Sequence, residues 1–155
     1  MTTFDTTREI PAPVEQVFAA FSHPERLARW WGPAGFTNTF HVCEFKPGGR
    51  WAFVMHGPDG APHPNLSVFA EIEAPGKVVV QHVNDPKFRL TITLTPSATG
   101  TTVTWSQVFE NAEVASGIQS IVVPANEQNL DRLTAEVLHP PAEAVSSGAA
   151  GTAGS

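Results

Sequence analysis

The residues best equipped for chemistry in this 155-residue chain are six histidines, His23, His41, His56, His63, His82 and His139, and a single cysteine, Cys43. Their spacing builds no metal centre: there is no HxH, no HExxH and no Cys paired with a His, so neither a metal nor another cofactor is expected. Nor does it build a nucleophile, because no serine stands in a G-x-S-x-G setting and Cys43 has no neighbouring His. Gly48-Gly49 is not followed by a helix start and does not read as a phosphate loop. Asn65-Leu66-Ser67 fits a glycosylation acceptor, a pattern without meaning in a chain read as lacking a secretion signal.

What remains are single polar groups in apolar surroundings. His41 and His82 fall in predicted strands. Turned inward, either imidazole could orient the polar head of a ligand or carry a proton; turned outward, it is a surface histidine. His56 and His63 flank a turn and belong in solvent. Gln107, Gln119, Asn126 and Asn129 lie on or beside apolar faces, where burial would oblige them to find partners. Glu44 and Lys46 share a face by alternation and read as a structural pair beside the Gly48-Gly49 turn. Trp30, Trp31 and Phe36 cluster in sequence, either as an aromatic gate over an apolar pocket or as a plug for the open end of a sheet. Trp51, Phe53 and Met55 share one face of a strand by period two, and Trp105 and Gln107 one face of another. With Phe69 they are core residues first and pocket wall second.

Positioning these groups requires the following elements. A strand over 2–10 ends at Pro11-Ala12-Pro13; a short helix over 14–21 carries Val14, Val17, Phe18 and Phe21. A second helix over 24–31 has Ser22 as its expected cap and Pro24 in its first turn, and stops at Gly32-Pro33. Strands are then predicted over 39–46, 50–56, 66–73, 77–83, 88–95 and 101–109, separated by Pro, Gly, Asn and Asp clusters that supply turn geometry, the mark of an antiparallel meander. A long helix over 111–139 carries the apolar stripe Val114, Ile118, Ile121, Val122, Ala125, Leu130, Leu133 and Val137, with a kink or break expected at Pro124. Residues 140–155, small and without period, read as a disordered tail.

The length suits one domain, 1–139, with no second. A formal charge of −6 and the absence of any basic run argue against nucleic acid. No apolar run approaches the roughly 20 residues that span a bilayer, so no membrane partner is expected. One cysteine and no signal sequence suggest the cytoplasm. Only 15% of residues are charged, a quiet surface compatible with a homodimer.

The element order and several strings together resemble the START-like (SRPBCC) superfamily, within it the branch named for the C-terminal domain of the activator of the heat-shock ATPase chaperone. The strings are Ala12-Pro13 with Val17-Phe18, His23-Pro24-Glu25-Arg26-Leu27, Arg29-Trp30-Trp31-Gly32-Pro33, the EFKPGG run from Glu44 to Gly49, Gly57 to Gly60, Gly100-Thr101-Thr102, and Asn129-Leu130-Asp131-Arg132-Leu133. One departure stands out: where branch members often carry an aromatic residue near the kink of the last helix, this chain has Val122-Val123-Pro124-Ala125-Asn126. The resemblance implies an α+β helix-grip fold, a seven-stranded curved antiparallel sheet wrapped around a long C-terminal helix, with two short helices after strand one. It further implies a cavity between sheet and helix for a small hydrophobic ligand, lipid-like, polyketide or aromatic. Trp30, Trp31, Phe36, His41, Trp51, Phe53, Met55, His82, Trp105, Gln107, Ile118, Ile121 and Val122 are its candidate lining. A cyclase- or hydrolase-type enzyme in the same pocket is the alternative, and a chaperone-binding module a third.

Overall fold

A computed structural model describes residues 2–139, so the expected tail lies outside the described residues. The order is β1 (Thr2–Ile10), α1 (Val14–Ser22), α2 (Pro24–Trp30), β2 (Thr37–Cys43), β3 (Arg50–His56), β4 (Pro62–Glu73), β5 (Lys77–His82), β6 (Phe88–Pro96), β7 (Thr101–Phe109) and α3 (Ala112–Leu138). The seven strands form one sheet in the order β1-β7-β6-β5-β4-β3-β2, every neighbouring pair antiparallel. This is the helix-grip arrangement. Its curl can be read from one ring. Trp31 packs on Trp51 of β3 and on Trp105 of β7, strands that a flat sheet would hold about 19 Å apart.

Alternation is cleanest on β7, where Thr101, Val103, Trp105, Gln107 and Phe109 are buried and the residues between them half-buried. β4 begins at Pro62, earlier than its pattern suggests. Over 62–66 its only partner strand is β3, since pairing with β5 starts at Ser67; on the other side Asn84 donates to the Pro64 carbonyl and Val83 to that of Leu66, so no neighbouring strand needs a donor from the prolines. The EFKPGG run ends in a turn where Gly49 is obligatory: a Cβ there would stand 1.9 Å from the Glu44 carbonyl oxygen. Ser22 does not cap α2. It closes α1, and His23 takes the cap position without a side-chain bond to the helix.

α3 runs unbroken through Pro124. The proline lies on the exposed side, where water can serve the carbonyl of residue 120 that it leaves unbonded. The expected apolar stripe is not one core face. Leu130, Leu133 and Val137 are buried against α1, α2 and β1, each fully buried aliphatic side chain contributing roughly 1.5–3 kcal/mol. Toward the N-terminus only Ala115 is fully buried, while Val114 and Ile121 are 40% and 66% exposed. At about 100° per residue, Val114, Ile118, Ile121 and Ala125 lie about a quarter turn from the line through Ala115, Val122 and Leu133 that faces the sheet. Thus one half of α3 is anchored and the other half rides at the sheet's margin.

Candidate functional site

Six of the aromatic residues named from sequence pack against one another. Trp31 sits 4.9 Å from Trp51, 5.5 Å from Trp30 and 5.9 Å from Trp105, ring centre to ring centre. Trp51 stacks on Phe53 at 4.4 Å and on Phe69 at 5.0 Å. All six rings are at most 8% exposed. Trp30 donates its indole N–H to the Ala20 carbonyl at 2.9 Å, whereas those of Trp51 and Trp105 have no acceptor among the described residues. Met55 and Phe36 stand at the outer margin, half-buried, with Phe36 against His63 at 5.9 Å.

The Trp30-Trp31 corner is held in place from the far end of the chain. Arg132 donates to the carbonyls of Arg29 at 2.7 Å, Pro33 at 2.8 Å and Gly32 at 3.0 Å, collecting the acceptors left at the end of α2. Asn129 donates to the Trp30 carbonyl and Asn38 to that of Trp31, both at 2.9 Å. Beneath this, the buried Glu136 carboxylate receives Arg26 at 2.9 Å and Arg29 at 2.8 Å. Burial would raise its pKa, but these two guanidinium partners prevail and hold it below the usual carboxylate value. Asn129 and Gln107 are therefore buried with partners, Gln107 accepting from Asn126 at 3.0 Å; Gln119 is exposed.

The histidines separate. His41 is exposed at the register shift between Phe40 and Val42, on the same face of β2 as the exposed Thr37 and Thr39. His82 is 6% exposed, its Nδ1 2.8 Å from the Pro86 carbonyl and its Nε2 2.8 Å from Asn65 Oδ1, with the ring stacked on Phe88 at 4.6 Å. Burial lowers its pKa, and the backbone contacts with Pro86 and Asn84 only partly offset this. His23 and His139 are exposed, as is His63, and His56 is half-buried with Nε2 2.8 Å from Thr39. Burial alone pushes the Cys43 thiol up to about 11, leaving it protonated and unreactive at neutral pH. Glu44 pairs with Arg50 rather than Lys46, accepting its backbone N–H at 2.9 Å. Among the described residues, no group of three or more His, Cys, Asp or Glu could hold a metal ion.

A cleft of about 620 Å³ runs between the end of β7 and the first turns of α3, walled by Phe109, Val114 and Ile118 and edged by Asp85, Pro86, Lys87 and Glu110. Of the candidate lining residues, only Ile118 borders it. Its far wall is the loop that His82 fastens through Pro86, and Phe88 transmits the contact, stacked on His82 and 5.3 Å from Phe109. Asn111 completes the floor and fixes the start of α3, its Oδ1 accepting from the N–H groups of Glu113 and Val114. Sequence reasoning passed over this end. The signal was an apolar strand terminus, Phe109, followed within five residues by a helix cap and Val114. A smaller depression of about 310 Å³ beside Arg29, Arg132 and Glu136 belongs to the charged clamp.

The sequence profile described as "Activator of Hsp90 ATPase homolog 1-like protein" matches residues 11–137. Among solved structures, a protein from Arthrobacter aurescens is 29% identical with a TM-score of 0.80, covering 90% of this chain and 87% of its own. One from Nitrosomonas europaea is 20% identical with a TM-score of 0.80, over 90% and 96%. The AHSA1-like protein from Aeromonas hydrophila is 20% identical with a TM-score of 0.72, over 90% and 97%. No match is found among curated proteins.

Proposed function

We propose, for a chain that belongs to the family of Activator of Hsp90 ATPase homolog 1-like proteins, that it binds a small hydrophobic molecule between its sheet and its C-terminal helix, at the β7–α3 cleft. Folds of this kind commonly bind hydrophobic ligands. The observation that carries the reading is the cleft itself: about 620 Å³, within the range of small-molecule sites, with an apolar wall of Phe109, Val114 and Ile118. With two carboxylates, Asp85 and Glu110, against one ammonium, Lys87, the rim selects a neutral or cationic head over an anionic one.

The test is titration with the neutral fluorophore N-phenyl-1-naphthylamine, followed by displacement with dodecanol, dodecylamine and dodecanoate. Binding should saturate at one site, dodecanoate should compete worst, and Ile118→Trp should abolish the signal by filling the cleft. Absence of saturable binding, or equal binding by Ile118→Trp, would remove the proposal. The cyclase or hydrolase reading gains no specific support, since both ring nitrogens of His82 are engaged by Pro86 and Asn65.

A further inference from the structure

The far wall of the cleft hangs on one buried imidazole. His82 closes β5, and the 83–87 loop that follows it turns back to the ring, placing the Pro86 carbonyl oxygen 2.8 Å from Nδ1, while Asn65 Oδ1 of β4 stands 2.8 Å from Nε2. We infer that His82 is a proton-operated latch on this loop, which holds the wall in place at neutral pH and releases it in acid, and so regulates the cleft on the reading that the cleft is the ligand site. Pro86 and Lys87 line that cleft, and Phe88, stacked on His82 at 4.6 Å, carries the ring's position to Phe109 at 5.3 Å.

Both neighbours of the ring are acceptors. Pro86 has no backbone N–H to offer, and Asn65 is oriented by donating its Nδ2 to the His63 carbonyl at 2.9 Å, which leaves Oδ1 toward the ring. A neutral imidazole has one N–H and serves one of these oxygens. A second proton would serve the other, but it would put a full charge on a residue that is 6% exposed. Nothing nearby neutralises that charge. On β4 stand His63 and Glu71, on β6 Arg89, in the loop Asp85 and Lys87, and beyond Phe109 stands Glu110. Glu71 is taken by Arg89 at 3.0 Å and Lys77 at 2.9 Å, and among the described residues no carboxylate forms an ion pair with the imidazole. Burial therefore outweighs the extra hydrogen bond, and the latched ring titrates below the ordinary histidine value. A released ring in water titrates at about 6.5. The released form thus takes up its proton first, and opening is favoured as pH falls through that value.

Three amides report on the closure: Val83 donates to the Leu66 carbonyl at 2.9 Å, Leu66 to Asn84 Oδ1 at 3.0 Å, and Glu110 to the Lys87 carbonyl at 3.2 Å. Hydrogen–deuterium exchange of the full chain, read at these amides relative to those of β7 and corrected for the intrinsic effect of pH, should show opening rise at least about threefold from about pH 7.5 to about pH 5, with one proton setting a ceiling of about thirtyfold. The dissociation constant for N-phenyl-1-naphthylamine, which stays neutral over this interval, should rise with it. His82→Gln keeps an amide donor for Pro86 but cannot titrate. Asn65→Asp keeps the imidazole and sets a carboxylate against Nε2, favouring the charged ring. Both variants should lose the acid response, and Asn65→Asp decides if His82→Gln does not fold. Wild-type exchange that acid leaves unchanged overturns the inference, as does an acid response that persists in the folded variants. Opening that rises while the dissociation constant stays fixed removes the latch as a control on the cleft. A probe that binds at no pH would sink the ligand reading alone, and the exchange at the three amides would still decide the latch.

Discussion

Glu136 shows how one buried carboxylate can organise two helices. Its oxygens face Arg26 and Arg29 from α2, and removing its charge would take from both guanidinium groups the buried carboxylate they share. Glu136→Gln should lower stability by about 3 kcal/mol, read from urea unfolding. Because the folded carboxylate is held below its unfolded value, this stabilisation is complete above the unfolded pKa and disappears as pH falls through the folded one, so the difference between Glu136→Gln and wild type should shrink in acid. His82 shifts in the same direction for another reason. Its folded pKa is lowered by burial, so the unfolded chain takes up a proton first as pH falls past the ordinary histidine value. Wild-type stability should therefore decline between about pH 7 and pH 5, and His82→Leu should flatten that slope. The same variant should cost about 1–3 kcal/mol by leaving the Pro86 carbonyl and Asn65 without their partner. Neither Glu136's role nor the cleft-wall contact of His82 could be read from the sequence, since each is defined by residues far along the chain or by a loop carbonyl.

At the scale of elements, α3 combines a firm half and a loose one. Amides over Leu130–Leu138 should exchange with deuterium more slowly than those over Ala112–Pro124, because the former are covered by α1, α2 and β1. Pro124→Ala restores a backbone donor on the exposed side and should raise stability by about 1–3 kcal/mol, read as a higher Tm. Strand existence was legible, since turn clusters at Pro47-Gly48-Gly49, Ala74-Pro75-Gly76 and Pro96–Gly100 coincide with real chain reversals. Strand edges were less so. The prolines at 62 and 64 hid the start of β4 because only the pairing environment tells which strand side is open. The orientation of α3 was misread for a comparable reason: a seven-residue apolar repeat resembles a core stripe, yet a helix turning every 3.6 residues carries it away from the buried face.

For the whole molecule, the aromatic interior and the cleft divide the work. The rings of Trp30, Trp31, Trp51 and Trp105 pack together, but whether such rings enclose space or consume it depends on side-chain volume and sheet curvature that no linear pattern records.

The Arg132 contacts carry a further consequence. The carbonyls of Arg29, Gly32 and Pro33 wait for a side chain about a hundred positions later, and β1 waits for β7 along its whole edge. During translation, β1 and the end of α2 therefore have no stable place to dock until β7 and α3 have been made. A nascent chain halted before Asn129 should remain open to protease, and one extended past α3 should resist it.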